Sequence, residues 1–138
     1  MPTAREIMTA DATCVGENDD LITAARMMKK LDVGSLPICG ADDRLKGMLT
    51  DRDIVVKVLA EGRDPASVTA GDLAQGSAVT IGADDDAGEI LATMAEHQVR
   101  RLPVIDGHRL VGIVAIADVA RALPDKPVGD VIDAISRN

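Results

Sequence analysis

An α/β fold made of two copies of one β-α-β-β-α unit is predicted by three observations. Aliphatic strands hand over to helical periodicity at definite points, most clearly where Leu45, Met48 and Leu49 give way to Ile54, Val55, Val58 and Leu59 at the spacing of one helix face. The same text then returns about 65 residues later. Leu36-Pro37-Ile38 matches Leu102-Pro103-Val104, and Gly47-Met48-Leu49-Thr50-Asp51-Arg52-Asp53 matches Gly112-Ile113-Val114-Ala115-Ile116-Ala117-Asp118. Finally, the chain has 138 residues, of which 46% are hydrophobic. That is one domain by length, able to bury roughly two thirds of its extended surface without a staple.

Taken in order, the first copy begins with a lead-in at Ala4-Arg5-Glu6-Ile7 and a short strand at 13–15. Asn18 or Asp19 is read as the cap of a helix whose apolar residues Leu21, Ala24, Ala25, Met28 and Leu31 follow the helical period, and Val33-Gly34 ends it. Strands at 36–39 and 45–49 form a hairpin around the polar turn Gly40-Ala41-Asp42-Asp43, and a helix over about 51–60 closes the unit. The second copy repeats this with a strand at 79–81, a helix near 86–98, a hairpin at Asp106-Gly107 and a helix over about 117–123. Gly47 and Gly112 stand inside strands, which implies a bulge or a close backbone approach. The boundaries read as 1–60 for the first copy with its lead-in, 61–68 for a polar linker holding Gly62 and Pro65, 69–123 for the second copy, and 124–138 for a C-terminal tail helix. Each sheet, covered by helices on one side, leaves an apolar face, so the copies are expected to pack sheet to sheet with pseudo-twofold symmetry.

Composition narrows the function. Phe, Tyr and Trp are absent, so the core is aliphatic and no aromatic platform exists for stacking single-stranded nucleic acid. A net charge of -8 opposes any polyanion, which argues against nucleic acid as a direct partner. Met1-Pro2-Thr3-Ala4-Arg5-Glu6 lacks the apolar core of a signal peptide, and no run approaches a membrane span. Cytoplasmic residence without a membrane partner is the expectation; signal-less export stays open. No nucleophile triad, Walker loop or dinucleotide fingerprint is present, so the chain is not expected to be an enzyme.

Thr50 and Asp53 are the candidate binding pair. They fall where strand becomes helix, beside exposed N–H groups that suit a ligand's polar atoms. The same spacing is that of a capping box, in which each side chain satisfies the other's backbone donor, so a purely structural role competes from the outset.

With its doubled Leu-Pro-aliphatic strand and doubled Gly-aliphatic-aliphatic-Thr-x-x-Asp motif, the chain resembles a tandem pair of CBS domains, a Bateman module, over nearly all of its length to Leu123. Among stand-alone pairs it is most similar to the hypoxic response protein type, which shares Cys14-Val15-Gly16, Leu36-Pro37-Ile38-Cys39-Gly40 and the first heptapeptide. This resemblance implies a regulatory module, a homodimer, that binds an adenosine-containing ligand such as AMP, ATP, S-adenosylmethionine or NADH between its repeats, with no cofactor required. It implies that Asp53 accepts from ribose hydroxyls, that Thr50 bonds ribose or phosphate, and that Val15 and Ile38 touch the base. In the second copy Asp118 is kept but Ala115 replaces the hydroxyl, so Asp118 reads first as a helix-start residue and second as a ribose acceptor. Phosphate needs cations near Asp51 and Asp53; Arg52, Lys29, Lys30, Arg100 and Arg101 are the candidates, with His97 a pH-dependent addition.

Cys14 and Cys39 lie on strands that can be neighbours in one sheet, whereas Thr80 and Ile105 occupy the matching positions of the second copy. They are either a disulfide, closing a loop of about 25 residues, or two thiols in a reducing compartment whose state reports redox conditions. His97 and His108 fit no metal spacing with them. Two functions remain: a sensor of an adenosyl ligand that signals by a change of shape to an unknown protein partner, or a ligand-free stress protein, stiffened by the cysteines, that acts through protein contacts.

Overall fold

The structure, a computed structural model, describes residues 1–74 and 78–123. The tail at 124–138, with its expected helix, lies outside them. In order, the elements are α1 (Ala4–Ile7), β1 (Thr9–Ala10), β2 (Val15–Gly16), α2 (Leu21–Leu31), β3 (Ser35–Cys39), β4 (Leu45–Thr50), α3 (Asp51–Ile54) continued by a π-helical stretch Val55–Leu59, a 3-10 turn Pro65–Ser67, α4 (Ala70–Leu73), β5 (Ile81–Gly82), α5 (Ala87–His97), β6 (Arg101–Asp106), β7 (Arg109–Ala115) and α6 (Ile116–Ala122).

Two compact units result. The central unit runs over Thr13–Ala78; the terminal unit combines Met1–Ala12 with the chain from Val79 onward. These units cut across the repeat boundaries drawn from the sequence, because each lead-in docks on the other repeat. Ala4 and Arg5 donate backbone hydrogen bonds to the carbonyls of Asp85 (2.8 Å) and Ala83 (2.9 Å), while Ala70 and Gly71 donate to those of Asp19 (2.8 Å) and Glu17 (2.8 Å). The two sets are equivalent bonds with partners exchanged. Ala4 and Ala70 are both fully buried there, and their small side chains let each short helix sit close to its host.

In the central unit the sheet order is β2-β3-β4, with β2 parallel to β3 and β3 antiparallel to β4. The terminal unit has four strands, β1-β7-β6-β5, rather than the three expected, since Thr9 and Ala10 of the lead-in pair with Ile113 and Gly112. Gly112 makes this possible: a Cβ there would meet Met8 Sδ and the Thr9 carbonyl at 2.6 Å. The register shifts opposite both strand glycines, between Ile38 and Cys39 and between Val104 and Ile105, as their position in the strands suggested.

Helix ends differ from expectation by a residue. Asp19 does not cap α2; its carboxylate accepts from Gly16 N–H at 2.9 Å and closes the turn after β2. Asp20 then caps, accepting from Thr23 N–H at 2.8 Å. Asp85 and Asp86 repeat the division of labour on Gly82 and Glu89. At the other end the left-handed residues are Asp32 and Gln98, ahead of the Val33-Gly34 expected to stop α2.

Each unit has its own apolar cluster. Val15, Leu21, Ala24, Leu36, Ile38, Leu49 and Val58 are fully or almost fully buried in the central one; Ile90, Met94, Leu102, Val104, Val114 and Val119 are their counterparts in the terminal one. Among the described residues no helix is long and apolar enough to cross a membrane.

Candidate functional site

β4 delivers Thr50 to the start of α3 in an extended conformation, φ -114 and ψ 158, so that its side chain faces the helix's free N–H groups. Asp53 N–H donates to Thr50 Oγ1 and Thr50 N–H donates to Asp53 Oδ2, each at 3.0 Å, forming a reciprocal capping box. Asp53 Oδ1 takes Lys57 Nζ at 3.1 Å, one helical turn on. The structural role weighed for this pair is therefore present. It leaves Thr50 a hydroxyl proton to donate and Asp53 an oxygen held by the partly exposed Lys57 side chain, and both residues remain partly exposed.

Burial of Asp53 works against its ionisation, yet the Thr50 N–H bond and the Lys57 ammonium outweigh it and hold the carboxyl below the ordinary aspartate range. At neutral pH the site therefore presents a carboxylate.

The terminal unit's equivalent is reduced. Asp118 Oδ2 accepts from Ala115 N–H at 2.8 Å, but Ala115 returns nothing, and Asp118 Oδ1 pairs with Arg121 one turn later.

The remaining candidates are dispersed. Val15 and Ile38 pair across β2 and β3 and are fully buried in the central cluster. Arg52 is exposed on the first turn of α3. Lys29 and Lys30 occupy the last turn of α2, where they complement the helix C-terminus. Arg100 and Arg101 are exposed in the terminal unit, where Arg101 opens β6 and pairs with Ala115. Lys57 was missed among the cations, although its spacing of four from Asp53 within a helical segment is a readable signal.

Cys14 and Cys39 are joined in a disulfide with Cα atoms 5.7 Å apart, across the parallel pair β2 and β3. Among the described residues, no three His, Cys, Asp or Glu side chains are grouped to hold a metal ion. His97 lies 3.9 Å from Glu96, and His108 follows Gly107 in the β6–β7 turn.

Comparisons with known proteins agree with this architecture. The CBS domain family model matches residues 4–60 and 70–125. Hypoxic response protein 1 of Mycobacterium tuberculosis is 56% identical over 135 residues, covering 98% of this chain and 94% of its own length. A crystal structure of Hypoxic Response Protein I with two coordinated zinc ions is 58% identical, with a TM-score of 0.83 over 89% of this chain and 100% of that one. The crystal structure of CBSX2 in complex with AMP has the same fold at 23% identity, with a TM-score of 0.77 over 88% of this chain and 96% of that one. Doubled motif, doubled sheet and matched family model lead to one conclusion: the chain belongs to the CBS domain family and carries two such domains.

Proposed function

We propose that this chain is a stand-alone CBS-pair regulatory module that takes an adenosine-containing ligand at the Thr50–Asp53 junction of its central unit and signals by a change of shape. The observation that carries this reading is the junction itself, where an ionised, partly exposed carboxylate and a hydroxyl meet at a helix start. A ribose diol donates two hydrogen bonds, and an ionised carboxylate accepts them more strongly than a neutral group does. Thr50 Oγ1 donates its proton to a ribose or phosphate oxygen, and Arg52 is an exposed cation beside it. AMP, ATP, S-adenosylmethionine and NADH share the adenosine that this chemistry recognises, and CBSX2, of the same fold, holds AMP. Asp118 ranks second because Ala115 offers no hydroxyl. A twofold homodimer, cytoplasmic residence and an unknown protein partner complete the reading, which includes no catalysis.

A second reading is favoured by two specific observations. The central unit is stapled by Cys14–Cys39, and Val55, Val56 and Leu59 are exposed on the extension of α3. These suit a ligand-free stress-response protein that acts through protein contacts.

Thermal unfolding with each of the four ligands separates the two. A ligand at a hundred times its dissociation constant adds about 2.7 kcal/mol of stability, and Thr50→Ala or Asp53→Asn removes that gain. Absence of a shift with all four ligands favours the second reading.

A further inference from the structure

We infer that Lys57 sets the ligand class of the central site, selecting adenosine compounds that carry a phosphate over neutral or cationic ones. The inference rests on the adenosyl reading of that site and adds to it the charge of the ligand.

Both oxygens of Asp53 already have a partner. Oδ2 is committed to Thr50 N–H at 3.0 Å, a bond that holds strand to helix. Oδ1 is held by Lys57 Nζ at 3.1 Å. A ribose diol that reaches this carboxylate therefore meets an ammonium already at Oδ1, and either shares that oxygen with it or displaces it. An uncharged nucleoside gives that ammonium no new partner, and wherever it displaces the ammonium the ion pair is lost without replacement. S-adenosylmethionine brings a sulfonium and an ammonium against a single carboxylate, and so remains a net cation beside Lys57. A nucleotide differs because it supplies a phosphate: the ribose takes Asp53 and the phosphate takes Lys57, so one ion pair is exchanged for another. The four-carbon stem and a side chain 38% exposed give Lys57 the freedom to make that exchange.

Charge around the site points the same way. Asp51 and Asp53 both stand in the first turn of α3, in a chain of net charge -8. A phosphate placed there meets these two carboxylates together with Arg52 and Lys57, and of the two cations Lys57 is the one paired to the motif aspartate. In the terminal unit the motif aspartate is also compensated, but by Arg121 three residues on, while Ala122 stands where the repeat would place Lys57. A lysine one turn beyond the carboxylate is therefore found only in the repeat that also keeps its threonine.

The test is titration calorimetry on the full chain with adenosine, AMP, ATP and S-adenosylmethionine, using the wild type, Lys57→Met, Lys57→Gln and Lys57→Arg. The wild type is expected to prefer AMP over adenosine. Replacing Lys57 by Met or Gln lowers AMP affinity by about tenfold and leaves adenosine affinity equal or higher, the size expected for one partly exposed charge-assisted contact. Lys57→Arg keeps the preference, and added salt erodes it in wild type and Lys57→Arg alone. An AMP-to-adenosine ratio unchanged in both neutral variants overturns the role of Lys57 while leaving the site intact. A wild type that binds none of the four compounds overturns the adenosyl reading itself, and this inference with it.

Discussion

Opening Cys14–Cys39 is expected to destabilise the central unit far more than the terminal one. The bond spans a sequence separation of 25 residues. In the chain-entropy account, a loop of that length removes about 12 cal/mol/K from the unfolded ensemble, or about 3.5 kcal/mol at 25 °C. β2 has little else to hold it: only Val15 and Gly16 pair with β3, immediately after the chain crosses from the terminal unit at Ala12. Spread over a chain of 138 residues unfolding in one step, the loss lowers Tm by about 12 °C. If the central unit unfolds by itself, the shift is larger and a separate early transition emerges. Calorimetry of oxidised protein, reduced protein and the Cys14→Ala/Cys39→Ala double variant reads this directly. The reduced wild type keeps both side chains, so it isolates the constraint from any cavity. Hydrogen exchange should then show lost protection within residues 13–74 and none in β6, β7 or α5. A reduced protein within about 1 kcal/mol of the oxidised one, below the range usual for disulfides, would refute the reasoning.

Ala115→Thr is expected to stabilise by about 1 kcal/mol, because residue 115 already has cap geometry and Asp118 already supplies the other half of the box; denaturant unfolding with an unchanged midpoint would contradict this. Gly112→Ala should cost about 1–3 kcal/mol by driving a methyl into the Thr9 carbonyl, whereas Gly47→Ala, whose nearest neighbour would be Ala74 Cβ at 3.3 Å, should cost less. Equal midpoints for the two would mean that β1 does not dock on β7. Stability should fall on acidification. The carboxyls of Asp20, Asp42 and Asp72 are held low chiefly by the N–H groups of Thr23, Arg44 and Thr69, and that of Asp53 by Thr50 and Lys57 against the effect of burial. Their contribution is full above the unfolded value of about 3.9 and is lost as pH falls through the lower folded values, so Tm should drop mainly below about pH 4. Glu89 carries the opposite sign. Asp85 foremost pushes its carboxyl up, so Glu89→Gln should raise Tm at pH 7 and have no such effect at pH 3.

The doubled motif was legible because a repeat needs no physics to detect, and strand and helix alternate in it with unambiguous periods. Thr50 and Asp53 were legible as a pair for the same reason that their role was ambiguous. A cap and a ribose site ask for the same residues at the same spacing, and the structure shows the cap in full. The α2 cap slipped from Asp19 to Asp20 because both acids are needed, one to close the turn onto Gly16 and one to start the helix. Burial of Val15 and Ile38 was not legible from their position in the strands.

Taken alone, the sequence determined the α/β class, the two repeats, the order of elements within each and the asymmetry between Thr50 and Ala115. These follow from local periodicity and side-chain chemistry, which act over a few residues. Tertiary structure decided which repeat each lead-in joins, that Cys14 meets Cys39, and that the terminal sheet gains a fourth strand. The two lead-ins are so alike that either could satisfy either host's carbonyls, and no local pattern tells them apart. Only the folded path of the backbone, bringing Ala4 to Ala83 and Asp85, and Ala70 to Glu17 and Asp19, makes the choice.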